Sequence, residues 1–598
     1  MRTNGKKMRY TIKKSKCFIL LVLVFLLVFN SCAKISPNGT SLNTDRDGSD
    51  VENSGSENIP DPEEDYITLF SNGMAMCDVV YSWEVPEGKI RYSSIQAFHK
   101  TLCNIVRQPM NADGALGIYK DTEYKSVDER IPILFADTKL MKNVIGIGEA
   151  NPCDYGFCVV DNKVVIYGVS LLELQNACSS FVEFLKKNIT KNDDNKITIK
   201  IPSNTQKNFK VDVAMRELPE MTMGTDIMLV DSGDDSRLWI SKECTVDDFN
   251  AYLTTLKESG FSLYAEHEMA TNLYATLTKD DIIVDVWWTK NGELRVTACQ
   301  GFDLFPSNSQ SFTKICESGM GMLANSKNSG AGEMGMFFLL EDGRFVVIDG
   351  GNGSHLHEEL FESMQKVAPD PEHITIAAWM FTHTHGDHIG AFKGIVANWS
   401  NYKNKLVVES FVYNFPGYEN ARSETTCADD GIRKNIEDIF PNAKRYKVHP
   451  GNVLYFANMK VEIIQTPESY ILKPSMQGSF ISNTMFRISI GDEIIFIEAD
   501  AGEPLNKLVA DTFGSFLECT ILQASHHGGT GGYVTTNKLF KPEVVLFFNY
   551  DKSVETYTIN RFLIDVNKNP NYKEHLYLEN DTVWLPLPYI PGSSYILK

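Results

Sequence analysis

Two short segments hold five of the chain's twelve histidines: Phe381-Thr-His-Thr-His-Gly-Asp-His388 and Ser525-His-His-Gly-Gly529. The first reads His-x-His-x-Asp-His at the end of the apolar run Ile374 to Met380. Imidazole and carboxylate ligands packed this closely cannot all face one ion. They can serve two ions a few Å apart, with His383 and His385 on one and Asp387 and His388 on the other. Without a metal, the same groups at the mouth of a buried strand would repel one another when protonated and waste their hydrogen-bonding capacity. Isolated histidines such as His99, His267 and His575 carry no such pattern and read as polar surface residues.

The elements that must position these ligands resemble the metallo-β-lactamase fold superfamily over residues 315–598. Met334 to Gly351 resembles the family's first β-hairpin, with an Asp-Gly turn between two apolar runs and an Asp-Gly-Gly ending at Asp349, a structural residue near the site. A helical stretch, Leu356 to Val367, precedes the buried strand that delivers the ligand loop. Glu493 to Asp500 is similar to the strand ending in the aspartate that bridges both metals. Cys519 to Gly528 is similar to the strand carrying the last histidine. The resemblance therefore implies a C-terminal αββα sandwich and adds Asp500 and the His526-His527 pair to the metal ligands. Adjacent strand residues point to opposite faces, so one of the pair is expected to ligate while the other faces substrate or a supporting partner.

Departures from the family pattern are informative. Between the first motif and the bridging aspartate the only histidine is His449, in a context that reads as a hairpin connection. The His-His-Gly ending and Asn483-Thr484 resemble the subgroup that includes the nuclease-like domain of the competence protein ComEC and the phosphorylcholine esterase of teichoic acid. The usual Gly-Asp at the bridging position is Ala499-Asp500 here, which keeps the carboxylate and is expected to lose the tight glycine turn. Two divalent ions sharing Asp500, zinc first with manganese also fitting these N/O ligands, would acidify a bridging water and polarise a substrate oxygen. Asp387 then acts as both ligand and orienter of the nucleophile, and Asn483 as a donor to developing negative charge. Gly330 to Gly335 has Gly-x-Gly-x-x-Gly spacing but leads into a strand and lacks the Lys-Ser/Thr of a phosphate loop, so it reads as a connection.

The N-terminus bears on location. Six lysines and arginines between Lys6 and Lys16 precede the apolar core Phe18 to Phe29, about a dozen residues long and short for a bilayer span. It ends at Asn30-Ser31-Cys32, which resembles a bacterial lipoprotein signal with Cys32 as the lipidated residue; an uncleaved anchor is the alternative. Residues 1–32 are thus expected to be a signal segment that ties the protein to the cell membrane. Residues 33–66, rich in Ser, Asn, Gly, Asp and Glu, are expected to be a flexible linker.

Residues 67–210 are expected to form an accessory α/β domain, with a strand at Val144 to Gly148, a hairpin at Phe157 to Gly168 and an amphipathic helix at Leu171 to Lys187. This run resembles the small domain found ahead of some glycoside hydrolases. Residues 211–305 are expected to be a helix-plus-sheet module, with a helix at Thr245 to Gly260 and strands Leu263 to Leu277 and Ile282 to Trp288. Neither region shows a catalytic constellation. Of the twelve cysteines, none forms a Cys-x-x-Cys pair; Cys153 and Cys158 are close enough in sequence to pair. A formal net charge of -20 argues against a general polyanion-binding surface, and no stable nucleic-acid complex is expected.

These readings point to a surface-anchored, metal-dependent hydrolase acting on an extracellular phosphoester of nucleic acid, teichoic acid or a related polymer. The alternatives are a non-catalytic metal-binding scaffold or wall-binding protein, and a hydrolase of a non-phosphate ester or amide. The oligomeric state is not legible in the chain.

Overall fold

The strand Ile374–Met380, which delivers the histidine-rich loop, lies in the middle of a mixed sheet in the computed structural model of the chain. The structure describes residues 65–82, 88–107, 114–125, 130–135, 151–324, 332–417, 431–470, 483–529, 532, 534–549 and 568–598. Cys32 and the strand expected at Val144 to Gly148 lie outside the described residues. Glu64–Lys598 forms one compact unit.

Two sheets stack face to face in the C-terminal part. In the first, Lys444–Lys447, Ser410–Tyr413, Ile374–Met380 and Phe345–Asp349 run parallel, and Gly335–Leu339, Gly319–Met322 and Val583–Pro586 continue it antiparallel. In the second, Val453–Phe456, Met459–Gln465, Met485–Ile490 and Glu493–Ile497 are antiparallel, and Ile521–Gln523, Val544–Phe547 and Glu574–Tyr577 add in parallel. The inner faces share one apolar layer, including Phe338, Ile348, Met380, Ile463, Ile488, Ile497 and Leu546. Each fully buried side chain of this kind contributes about 1.5–3 kcal/mol. Helices Leu356–Val367 and Gly390–Ala397 cover one outer face, and Glu503–Phe513 covers the other. This is an αββα sandwich. The first hairpin pairs Leu339 with Phe345 around Asp342-Gly343, as its sequence predicts.

The His-rich loop, Asp500 and the His526-His527 pair all follow the C-terminal ends of parallel-paired strands. Carbonyl-end loops of such strands fan outward and leave a crevice where side chains from several strands can converge. The sandwich therefore collects ligands from distant parts of the sequence at one end.

Among the described residues, the preceding part forms three more sheets, two in 65–209 and one in 225–300. The helix Leu171–Lys187 begins where expected because Ser170 and Glu173 cap each other reciprocally, and the hairpin before it turns at Asp161-Asn162 with both φ positive. The helix Val246–Glu258 is likewise capped by Thr245 and Asp248. One expected strand, Leu263 to Leu277, is instead two, Ser262–Met269 and Asn272–Lys279. The chain reverses at Ala270-Thr271, both left-handed, a tight turn built without the Gly or Asn that ordinarily signals it. His99, expected at the surface, is buried on the helix Gly88–Val106, its Nε2 2.8 Å from Leu116 O. Cys153 and Cys158 are both free and belong to different apolar clusters, so proximity in sequence does not bring them together.

His449 is fully buried where the 225–300 sheet meets the sandwich. Its Nδ1 lies 2.7 Å from Glu468 Oε2, and its Nε2 3.8 Å from Asp285 Oδ2. Burial opposes its charge, but Glu468 and Asp285 outweigh that and raise its pKa to about 10. A raised pKa stabilises the fold fully below the ordinary value near 6.5, and that stabilisation is lost as pH rises through about 10. Removing one partner of a buried pair costs about 3–5 kcal/mol. His449→Gln is therefore expected to lower the melting temperature at pH 6.5. The gap to wild type should narrow toward pH 10, which thermal unfolding across that range measures; a gap independent of pH would contradict a charged His449.

Candidate metal centre

The loop after Met380 is held before any ligand is counted. Asp349, with φ +58 at the end of its strand, accepts from the Thr382 backbone N–H (2.8 Å) and hydroxyl (2.6 Å), and its Oδ2 lies 2.7 Å from His388 Nδ1. A carboxylate on one ring nitrogen fixes the tautomer and aims the other nitrogen at the site. Asp349, marked by the Asp-Gly-Gly ending, thus orients the ligand loop.

Asp500, about 1% exposed, is the centre of the arrangement. Its Oδ1 is 3.2 Å from His388 Nε2 and 3.5 Å from His527 Nε2, and its Oδ2 is 3.8 Å from His383 Nε2 and 3.9 Å from His526 Nε2. Donor atoms of Asp387, His388, Asp500 and His527 gather in one group, and those of His383, His385 and Asp500 in another. His383 Nε2 and His385 Nδ1 are 2.9 Å apart, and His527 Nε2 is 3.3 Å from Asp387 Oδ2. His388 Nε2 and Asp500 Oδ1 are buried and make no hydrogen bond. Two buried polar atoms 3.2 Å apart without an aligned hydrogen bond fit a site built for a cation, which would satisfy both.

The electrostatics agree. Burial pushes His383 well below its ordinary pKa, and His385 and His526 below theirs, so these imidazoles offer lone pairs. Burial opposes the charges of Asp387 and Asp500, but the neighbouring His527 and His388 hold both carboxyls below their usual range. For His388, burial is outweighed by Asp500 and Asp349, which raise it. Its proton would leave when an ion binds.

The histidine pair does not sit on a strand. The strand ends at Gln523, and His526 (φ +49) and His527 (φ +58) occupy consecutive left-handed positions in the turn beyond. Strand alternation therefore does not govern them; the turn itself sends His527 toward Asp387 and leaves His526 half-buried on the Oδ2 side of Asp500.

The tight turn expected to be lost at Ala499 is present. Ala499 takes φ +52, a conformation that costs a residue with a Cβ about 1–2 kcal/mol. Gln523 offsets the strain, its Oε1 accepting from Ala499 N–H (2.7 Å) and its Nε2 donating to Ala499 O (3.3 Å), while His526 N–H donates to the same carbonyl (2.8 Å). Asn483 lies behind the carboxylate, its Oδ1 accepting from Asp500 N–H (3.2 Å). His449 belongs to the buried pair described above and not to either ligand group.

Several contributors were not marked in the sequence. Gln523 precedes the Ala-Ser-His-His run with no distinguishing pattern. Glu498 is buried, accepts from Ser525 N–H (3.2 Å), and is pushed by burial up to about 8, which keeps it neutral beside Asp500 at pH 7. Gly332, in the segment read as a connection, packs on a ligand group: a Cβ there would lie 2.6 Å from His527 Cγ. The next two residues bind the same end of the sandwich, Met334 N–H donating to Asp387 O (3.0 Å) and Glu333 N–H to Phe548 O (3.1 Å).

No protein-family profile matches the chain, and no curated protein is similar to it. Among solved structures, the chain is similar to the metallo-β-lactamase fold protein YhfI from Bacillus subtilis (11% identity, 45% of this chain and 100% of that one, TM-score 0.30). It is similar to unliganded yeast PDE1 (12%, 45% and 99%, TM-score 0.29) and to a diphosphatase from the PhnP family (12%, 46% and 98%, TM-score 0.28).

The geometry separates the histidine pair experimentally. His527→Ala is expected to lower the zinc retained per chain by about half, because its group loses a ligand. His526→Ala is expected to retain wild-type zinc, as read by elemental analysis after dialysis. Equal loss in both variants would reverse the assignment.

Proposed function

We propose that the protein is an extracytoplasmic, metal-dependent hydrolase of phosphoesters, acting on nucleic acid, teichoic acid or a related polymer. The observation that carries the reading is the Asp500 carboxylate, with one oxygen toward His388 and His527 and the other toward His383 and His526. A carboxylate so placed suits two divalent ions, zinc or manganese, held by His383, His385 and Asp500 on one side and Asp387, His388, His527 and Asp500 on the other. Such ions supply Lewis acidity and acidify water toward neutrality.

The chain's own residues supply the rest. Asp387, with its side chain about a third exposed, orients the attacking water. His526, half-buried on the open side, meets the substrate, and Asn483, whose Oδ1 holds the Asp500 backbone N–H, would use its amide as a donor to developing negative charge. With a net charge of -20, the general surface repels polyanions, so a phosphoester is held where the ions are. The basic and apolar N-terminus ending at Cys32 supports attachment to the outer face of the cell membrane through lipid.

The test uses the full chain reconstituted with zinc or manganese and presented with bis-p-nitrophenyl phosphate, p-nitrophenyl phosphorylcholine, single- and double-stranded DNA, and nitrocefin. Turnover of a phosphodiester without turnover of nitrocefin is expected. Asp387→Ala should lower it by more than about 100-fold, beyond what loss of an outer partner of a ligand costs. Wild-type turnover in Asp387→Ala would move the chemistry elsewhere, and metal binding without turnover of any substrate would favour a scaffold.

A further inference from the structure

The 225–300 sheet has two buried faces, and the one against the sandwich is the informative one. Trp239, Ala275, Val284, Val286 and Val296 pack on the module's own helix, whereas Leu238, Ile240, Tyr274 and Trp287 belong to the sandwich's outer cluster. Asp285 pairs with Thr276 in register, and Arg295 with Trp287, so both charged side chains share the sandwich-facing side. Both are buried.

Across the seam they meet one short segment. Arg295 donates to the Glu468 carbonyl (2.5 Å), and Asp285 accepts from Asn452 Nδ2 (2.7 Å) and lies 3.8 Å from His449 Nε2. Glu468 Oε2 in turn lies 2.7 Å from His449 Nδ1 and accepts from Asn414 Nδ2 (3.0 Å) and the Thr466 hydroxyl (3.1 Å). Asn414 follows the strand Ser410–Tyr413, where Phe381 N–H donates to Val412 O (2.9 Å) just before the ligand loop. Thr466 follows Gln465, which pairs with Met485, and the adjacent Thr484 N–H donates to Thr382 O (2.9 Å). One carboxylate thus ties together a strand end from each sheet, at the end of the sandwich where the ligands emerge.

We propose that the 225–300 sheet is part of the catalytic unit, and that Asp285 and Arg295 are positioning residues that act through Glu468 on the strand ends carrying Thr382-His383 and Asn483. The module is then not a detachable wall-binding domain. Only the kinetic arm of the test rests on the phosphoester reading.

The experiment compares the full chain with Asp285→Asn, Arg295→Met, Arg295→Lys and Val284→Ala, the last a buried residue on the opposite face of the same sheet. Hydrogen exchange is read over 460–470 and 483–490, with kcat and KM on bis-p-nitrophenyl phosphate. Asp285→Asn and Arg295→Met are expected to speed exchange in both segments and to lower kcat by about 10-fold or more at near-constant KM, the scale on which supporting partners act. Arg295→Lys should recover part of both. Val284→Ala should lower the melting temperature without either effect. Wild-type exchange in both segments in Asp285→Asn and Arg295→Met would overturn the proposal, as would the same acceleration in Val284→Ala. If the wild-type chain turned over no phosphodiester, the functional reading would fail by itself and the exchange result would decide this one.

Discussion

A buried carboxylate facing imidazoles on two sides is the constraint around which the C-terminal sandwich is organised. Taking a carboxylate out of water costs several kcal/mol even after a protein relaxes around it. Asp500 recovers that cost only if its oxygens meet positive charge, and the surrounding imidazoles are held partly neutral by the same burial. Bound cations would balance the arrangement, which accounts for so many otherwise unfavourable features collecting there. Ala499 is left-handed, two consecutive histidines are left-handed, and His388 Nε2 and Asp500 Oδ1 face each other without a hydrogen bond. Strain and unsatisfied polarity of this kind persist where the surrounding structure over-determines them.

That over-determination is visible in the supporting residues. Asp349 fixes Thr382 and His388, Gln523 fixes both polar groups of Ala499, and Asn483 fixes the Asp500 backbone. Each sits on a different strand or strand end, so the positions of the ligands depend on the register of both sheets. The packed apolar layer between the sheets is what makes that register rigid, because a slip by one residue would turn every inward side chain outward.

The sequence revealed the parts of this whose physics is local. The first ligand motif lies within six residues, and its imidazoles and carboxylate declare a cation by crowding alone. The helix starts at Ser170 and Thr245 were legible because capping is a contact over three residues. Asp500 was reached only through resemblance, since a strand-end aspartate has no signature of its own. The turn at Ala499 and the turn at Ala270-Thr271 were misread because alanine and threonine do not advertise left-handed backbone; distant groups, Gln523 in the first case, hold it. The roles within His526-His527 depend on backbone geometry after the strand ends, which alternation could not supply. His449 lacked any pattern because its partners come from distant elements, Asp285 from the 225–300 sheet and Glu468 from the turn after the strand Met459–Gln465.

The accessible part of the centre is narrow. Asp387, His385 and His526 are the partly exposed members, whereas His383, His388, Asp500 and His527 are buried. A group reaching the centre therefore comes over Asp387, His385 and His526, and the deeper ligands meet it only after water has been displaced. Electrostatic interactions strengthen as water is excluded, so one rim can remain open while the ion-binding groups behind it keep a low local dielectric. The chain's overall negative charge acts in the opposite sense at long range, screened over about 10 Å at ordinary ionic strength. A negatively charged polymer would thus be repelled by the general surface and attracted only within that distance of bound cations, which favours contact with one linkage at a time over extended binding along the strand.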